Sequence, residues 1–274
     1  MRFALCNEIL KEFPLAEQFA LAAEMGYDAL EIAPFTLAGD VRDISAAQRR
    51  ELRALADGSG LRIAGIHWVL VGPEGLHLTS PDPAIRERTR EYLRELVRFG
   101  VEIGGAVMVV GSPKQRSYEQ GTRRADAWRW FAEALADCAA IPEAKDFTIC
   151  VEPLLSAATN LINRAREARL MVTEIGAPNV RVILDVNSMW HEEASLPQAI
   201  RDTAQLLGHF HANDPNQRGP GTGTVEFAPI LTALRGIPYR GYVSVEVFDF
   251  SLDAREHAAG SLRYLRQEPA EEKA

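Results

Sequence analysis

Short apolar runs rich in β-branched residues alternate along this chain with longer stretches whose apolar positions recur at i, i+3 and i+4. The short runs read as buried strands and the longer spacing as the inward face of helices. The candidate strands are FALCN (3–7), ALEIAPF (29–35), LRIAGIHW (61–68), AVMVVGS (106–112), FTICVEP (147–153), VRVILDV (180–186), LLGHFHA (206–212) and YVSVEVF (242–248). Helical spacing fills the gaps, as in PLAEQFALAAEMG and PAIRERTREYLRELVRFGVEIG. Glycines in EMGYD, GSGLRI, EIGGAV and EIGAPNVRV stand where each helix should stop before the next strand, as C-terminal caps do.

Strands that are apolar on both faces, each followed by a helix, predict a parallel sheet covered on both sides. Eight such units in 274 residues predict an α/β fold, a single (β/α)8 TIM barrel over residues 1–267, with EPAEEKA (268–274) as a short polar tail. No G-x-G-x-x-G follows the first strand, which argues against an open dinucleotide-binding sheet.

Composition narrows the partners. The net charge is −8 and no lysine or arginine block stands apart from acids, so a nucleic-acid partner is not expected. No run approaches the roughly 18 apolar residues of a membrane span, and MRFALCNEIL lacks a signal-peptide core; neither membrane association nor export is expected. The three cysteines (Cys6, Cys138, Cys150) have no paired spacing, which fits reduced thiols and a cytoplasmic location. A homodimer is the default assembly expected of a chain of this kind.

Chemistry is expected at the C-terminal ends of the strands, where such barrels carry their sites. Four consecutive strands end in metal-competent groups: Glu152 in CVEP, Asp185 in ILDVN, His211 in FHAND and Glu246 in SVEVF. Any one alone is readily a capped or solvated polar residue. Four together need a cation to offset their mutual repulsion. Three carboxylates and an imidazole form a hard, oxygen-rich set that suits Mn²⁺, with Mg²⁺ or Co²⁺ as alternatives, better than a thiol-rich zinc site would. His209 lies two residues before His211 on the same strand and faces the same side, one layer deeper, as a core histidine or a partner behind the ligands.

Further candidates surround the set. His67 ends the third strand as a substrate-side polar group, Glu8 lies just past the first, and Glu31 sits on the second. Ser112, Lys114, Gln115 and Arg116 follow the fourth; Lys114 and Arg116 are either anion partners or solvated surface cations. The loop RGPGTG (218–223) admits a phosphate or hydroxyl to its backbone, or is simply a turn. Trp68 and Trp190 either cover a sugar face or close the barrel mouth.

The words VEP, ILDVN, HFHAND and VSVEVF, in this order, resemble the metal-site strands of the xylose-isomerase-like barrel superfamily, over essentially the whole chain. The resemblance is greatest to its ketose 3-epimerases. It implies a divalent metal held by Glu152, Asp185, His211 and Glu246, a small carbohydrate substrate, and Glu152 and Glu246 as acid and base on opposite sugar faces. Three positions depart from that pattern: Ala158 stands where a glutamate is usual, Ser188 where a histidine is, and Gln217, beside Arg218, where an arginine is. His67, Ser188, Gln217, Arg218 and Lys114 are therefore the candidate substrate-binding residues. The implied chemistry is isomerisation or epimerisation of a sugar, sugar phosphate or keto-sugar through an enediolate. Loss of a β-leaving group from the same intermediate would make a lyase or dehydratase instead. An abasic-site endonuclease and a non-catalytic sugar-binding barrel are more distant alternatives.

Overall fold

The computed structural model describes residues 1–267; the polar tail at 268–274 lies outside the described residues. Eight strands follow in chain order: β1 (Arg2–Cys6), β2 (Ala29–Ile32), β3 (Arg62–Ile66), β4 (Val107–Val110), β5 (Thr148–Val151), β6 (Val180–Asp185), β7 (Leu207–Ala212) and β8 (Tyr242–Val245). Each pairs in parallel with the next, and β8 pairs back onto β1, giving the closed (β/α)8 barrel. Between them lie the helices α1 (Leu15–Met25), α2 (Ala46–Ser59), α3 (Pro83–Glu102), α4 (Pro113–Arg116), α5 (Arg124–Ala139), α6 (Ala165–Ile175), α7 (Val186–Glu192), α8 (Leu196–Thr203), α9 (Phe227–Arg235) and α10 (Ala254–Arg266).

The predicted strands are all present, but most stop earlier than the apolar runs. β3 ends at Ile66, β5 at Val151 and β8 at Val245, so His67, Glu152 and Glu246 are each the first residue beyond a strand. The glycines foreseen as helix stops do that work: Gly26, Gly60, Gly104 and Gly176 have φ of 91°, 73°, 85° and 69° at or just past the ends of α1, α2, α3 and α6.

Two apolar regions hold the fold. The larger, between strands and helices, includes Phe19, Leu30, Phe99, Phe131, Phe147, Phe210 and Leu262. The lumen is filled differently. Small side chains (Ala4, Ala29, Ala64) close its lower part with Tyr242, and Val107, Val109, Cys150 and Ile183 form a second cluster. Gly65 lets β3 approach β4 closely, because a Cβ there would stand 2.3 Å from the Val107 carbonyl oxygen. Cys6, Cys138 and Cys150 are buried and unpaired. Among the described residues no helix is long and apolar enough to cross a membrane.

Candidate metal centre and substrate cavity

Alternation along the strands turns Glu31, Asp185, His209, His211 and Glu246 into the lumen or onto its upper rim. Donor atoms of Glu152, Asp185, His211 and Glu246 all lie within 4.8 Å of one another, and all four residues are buried. Backbone bonds keep the residues beyond the strands in register, Glu152 N–H donating to Val110 O (3.3 Å) and Glu246 N–H to Ala212 O (3.2 Å).

Each of the four is held by a dedicated neighbour. Asp185 caps α7, accepting from the Ser188 N–H at 2.7 Å on Oδ1 and from Asn213 Nδ2 at 2.6 Å on Oδ2. Asn213 in turn accepts from the Asn187 N–H at 2.8 Å, tying the start of α7 to the end of β7. Glu246 accepts from Trp68 Nε1 at 2.8 Å and faces His211 Nδ1 at 3.0 Å. Glu152 presses against the backbone of Gly111, where a Cβ would stand 2.1 Å from Glu152 Oε2. Its carbonyl accepts from the guanidinium of Arg116, which also donates to Ile162 O at 3.1 Å.

Beneath the rim runs a polar column. Glu31 bridges His209 (2.7 Å to Nε2) and His211 (3.1 Å to Nε2), and lies 3.7 Å from His67 Nδ1. His67 Nε2 sits 2.7 Å from Glu8 Oε2. Burial opposes ionisation of Glu31, but the two imidazoles outweigh it and hold the carboxyl well below its usual range. His209 is pushed down by burial, whereas His211 is raised well above the ordinary imidazole value because Glu246 and Glu31 outweigh burial.

Crowding of like charge shapes the rim. Burial first, then Glu246 and Asp185, pushes the Glu152 carboxyl up to about 8. Burial and Glu246 push Asp185 up to about 6. Burial also works against the Glu246 carboxylate, but His211 beside it prevails and keeps its pKa below the ordinary value. A divalent cation fits this donor set: three buried carboxylates meet with one imidazole, and two of them are held back from ionising for want of a counter-charge. Raised to about 8, the Glu152 carboxyl keeps its proton at neutral pH, so an incoming cation must expel it. Mn²⁺ affinity is therefore expected to rise with pH, with proton release at neutrality from Glu152 and from His211. Calorimetric titration in buffers of different ionisation heat measures both, and pH-independent affinity without proton release would contradict the assignment.

Above the four donors opens a cavity of about 600 Å³. Of the candidate substrate residues, His67, Ser188, Gln217 and Lys114 line it. Arg218 does not: its guanidinium turns away to pair with Asp249 at 2.9 Å. Trp68 lines the cavity, its ring 5.9 Å from Phe248 and 5.5 Å from Phe35, whereas Trp190 stands exposed on α7 outside the lining. The glycine-rich loop is folded back on the protein instead of facing the cavity: Asp214 accepts from Gly221 N–H (3.0 Å) and Val225 N–H (3.1 Å), and His257 accepts from Gly219 N–H (2.8 Å). Arg116, weighed above as an anion partner or a solvated cation, is wholly buried and donates through its two terminal nitrogens to backbone carbonyls. Asn213 carried no role in the sequence reading. Its position two residues beyond His211, on the same face of the chain, was the available signal. Three lining residues, Trp68, Ser112 and Gln217, have left-handed φ of 54°, 51° and 67°, so backbone strain gathers around the cavity.

Comparison with known proteins adds an independent line. The family model described as xylose isomerase-like TIM barrel matches residues 19–268. A D-psicose 3-epimerase from Ruminiclostridium cellulolyticum is 32% identical over 233 residues, covering 82% of this chain and 75% of the relative. A 3-dehydro-D-guloside 4-epimerase from Escherichia coli is 26% identical over 283 residues, covering 97% and 99%. Among solved structures, D-psicose 3-epimerase with D-tagatose from Clostridium cellulolyticum H10 superposes with a TM-score of 0.83 at 26% identity, over 97% of this chain and 98% of that one.

Proposed function

Because the chain belongs to the xylose isomerase-like TIM-barrel family, we propose that it is a divalent-metal-dependent epimerase of a keto-sugar, with Glu152 and Glu246 exchanging protons with the substrate carbon next to the carbonyl. The observation that supports this reading is the meeting of those two glutamates, from the ends of β5 and β8, with Asp185 and His211, where Glu152, Asp185 and Glu246 line the cavity. The relatives named above are epimerases of ketoses or of a dehydro-glycoside, which supports the same class.

Glu152, Asp185, His211 and Glu246 would hold the metal, for which Mn²⁺ is the first choice and Mg²⁺ or Co²⁺ the alternatives. When bound, the cation supplies Lewis acidity toward a substrate carbonyl. The residues supply the rest. One glutamate takes the proton from the carbon α to the carbonyl, the C–H electron pair moves into an enediolate, and the other glutamate delivers a proton to the opposite face. Nothing is oxidised or reduced overall. Trp68 fixes Glu246 through its indole N–H, and the Gly111 backbone limits where the Glu152 carboxyl can swing.

Proton NMR in D₂O with the Mn²⁺-loaded protein tests the reading on ketoses, sugar phosphates and keto-sugars, the metal being stripped before acquisition. Deuterium entering a carbon next to a carbonyl, together with an epimer, is the expected result. An eliminated product would make the protein a lyase, and aldose–ketose interconversion an isomerase of the xylose type.

A further inference from the structure

We propose that the substrate is an intact glycoside carrying an apolar aglycone, with its carbonyl on a ring carbon, and not a free ketose; this rests on the epimerase reading above. Beside its polar lining, the cavity carries an apolar wall made by Val71, Leu154, Leu155 and Phe248 with the indole of Trp68. Trp68 cannot turn to offer a polar edge, because its N–H is committed to Glu246 and its ring packs between Phe35 and Phe248. Val71 is 43% exposed and Leu154 and Leu155 are half-buried, so this apolar wall stands open to a ligand.

A free hexose carries hydroxyls around its whole rim. Seated on the four donors, it would leave much of the roughly 600 Å³ unfilled and set hydroxyls against a wall that returns no hydrogen bonds. Of the three departing positions, all of which line the cavity, Ala158 offers no hydrogen bond, and Ser188 and Gln217 offer only neutral ones. A phosphate is served no better. Lys114, an exposed residue, is the one lysine or arginine lining the cavity among the described residues, since Arg116 and Arg218 are engaged elsewhere. An aryl or alkyl group beside the sugar fills the space and matches the wall.

Chemistry then fixes where the carbonyl lies. In a glycoside the anomeric carbon is locked as an acetal, so the carbonyl that acidifies a neighbouring C–H must be an oxidised ring carbon. The reaction that supplies such a substrate is oxidation of a ring hydroxyl of the whole glycoside, before the glycosidic bond is cut.

The test compares deuterium wash-in and epimer formation for phenyl 3-keto-β-D-glucoside, its methyl counterpart and D-psicose, on the Mn²⁺-loaded protein. We expect kcat/KM to be at least about tenfold higher for the phenyl keto-glycoside than for D-psicose, with the methyl compound between them. Calorimetry with the unreactive phenyl and methyl β-D-glucosides reads the wall directly: phenyl binds more tightly, and Leu155→Asp closes the gap between them. Equal or better turnover of D-psicose, or equal binding of the two glucosides, would overturn this inference and leave the epimerase reading standing. Absence of exchange in every compound would bring down the epimerase reading itself, and this inference with it.

Discussion

Glu246→Gln in the Mn²⁺-saturated protein is expected to lower epimer formation by about three orders of magnitude or more, with an unchanged circular dichroism spectrum; Glu152→Gln should do the same. Acid–base groups of this kind contribute roughly 10²–10⁴ in rate, and each substitution also removes one negative donor from the centre. The fold survives because glutamine keeps an oxygen for the indole N–H of Trp68, and because Glu152 anchors its neighbours through its backbone carbonyl, not its carboxyl. Solvent exchange separates two-base transfer from mere loss of metal. If the carboxyls serve opposite faces, the epimer whose hydrogen faces the surviving glutamate still takes up deuterium without epimerising, while the other epimer is silent. The two variants should show opposite patterns. Near-normal turnover in either variant at saturating metal would remove that residue from the mechanism.

Arg116→Leu is expected to destabilise the protein by about 3–5 kcal/mol, the cost typical of breaking a buried charged network by removing one partner. Arg116 has no exposed surface, and its side chain donates to the carbonyls of Glu152 and Ile162, which belong to a segment far away in the chain. Removing it strands two buried acceptors, at about 1–3 kcal/mol each, and takes a positive charge from behind the carboxylate cluster. Burial pulls this guanidinium down only to about 10, so it stays charged at neutral pH. In a domain of this size the loss corresponds to a melting point lower by roughly 10 °C, which scanning calorimetry would read. A shift near zero would mean that water replaces both bonds.

The two experiments probe residues of very different legibility. Glu152, Asp185, His211 and Glu246 stand out in the sequence because strand ends recur at regular intervals, and alternation alone decides which side chain faces the lumen. Arg116 does not stand out. A charged residue in a polar loop reads as solvated, and only the return of the 153–162 segment over it reveals a pair of carbonyls. Trp68 and Glu246 are likewise 178 positions apart, so no local pattern links them. The glycine-rich loop misleads for a related reason: its composition is that of an anion cradle, but its Gly219 N–H is claimed by His257 from α10 and its Gly221 N–H by the nearby Asp214. Patterns local in the chain specify the barrel and the candidate ligands; partners brought by closure specify how they are held.

The polar column beneath the rim limits how this centre can be transplanted. Moving Glu152, Asp185, His211 and Glu246 onto a designed barrel with an aliphatic lumen would reproduce the donor atoms but not their support. His211 would lose Glu31, and with it the contact that holds the ring nitrogen opposite the one facing Glu246. Asp185 would lose Asn213, and Glu246 would lose Trp68. The smallest portable unit therefore includes Glu31, His209, Asn213, Trp68 and Gly111, drawn from β2, β7 and the ends of β3 and β4. A designer who wants this chemistry must choose a scaffold whose interior tolerates buried imidazole–carboxylate pairs, which excludes most barrels optimised for stability.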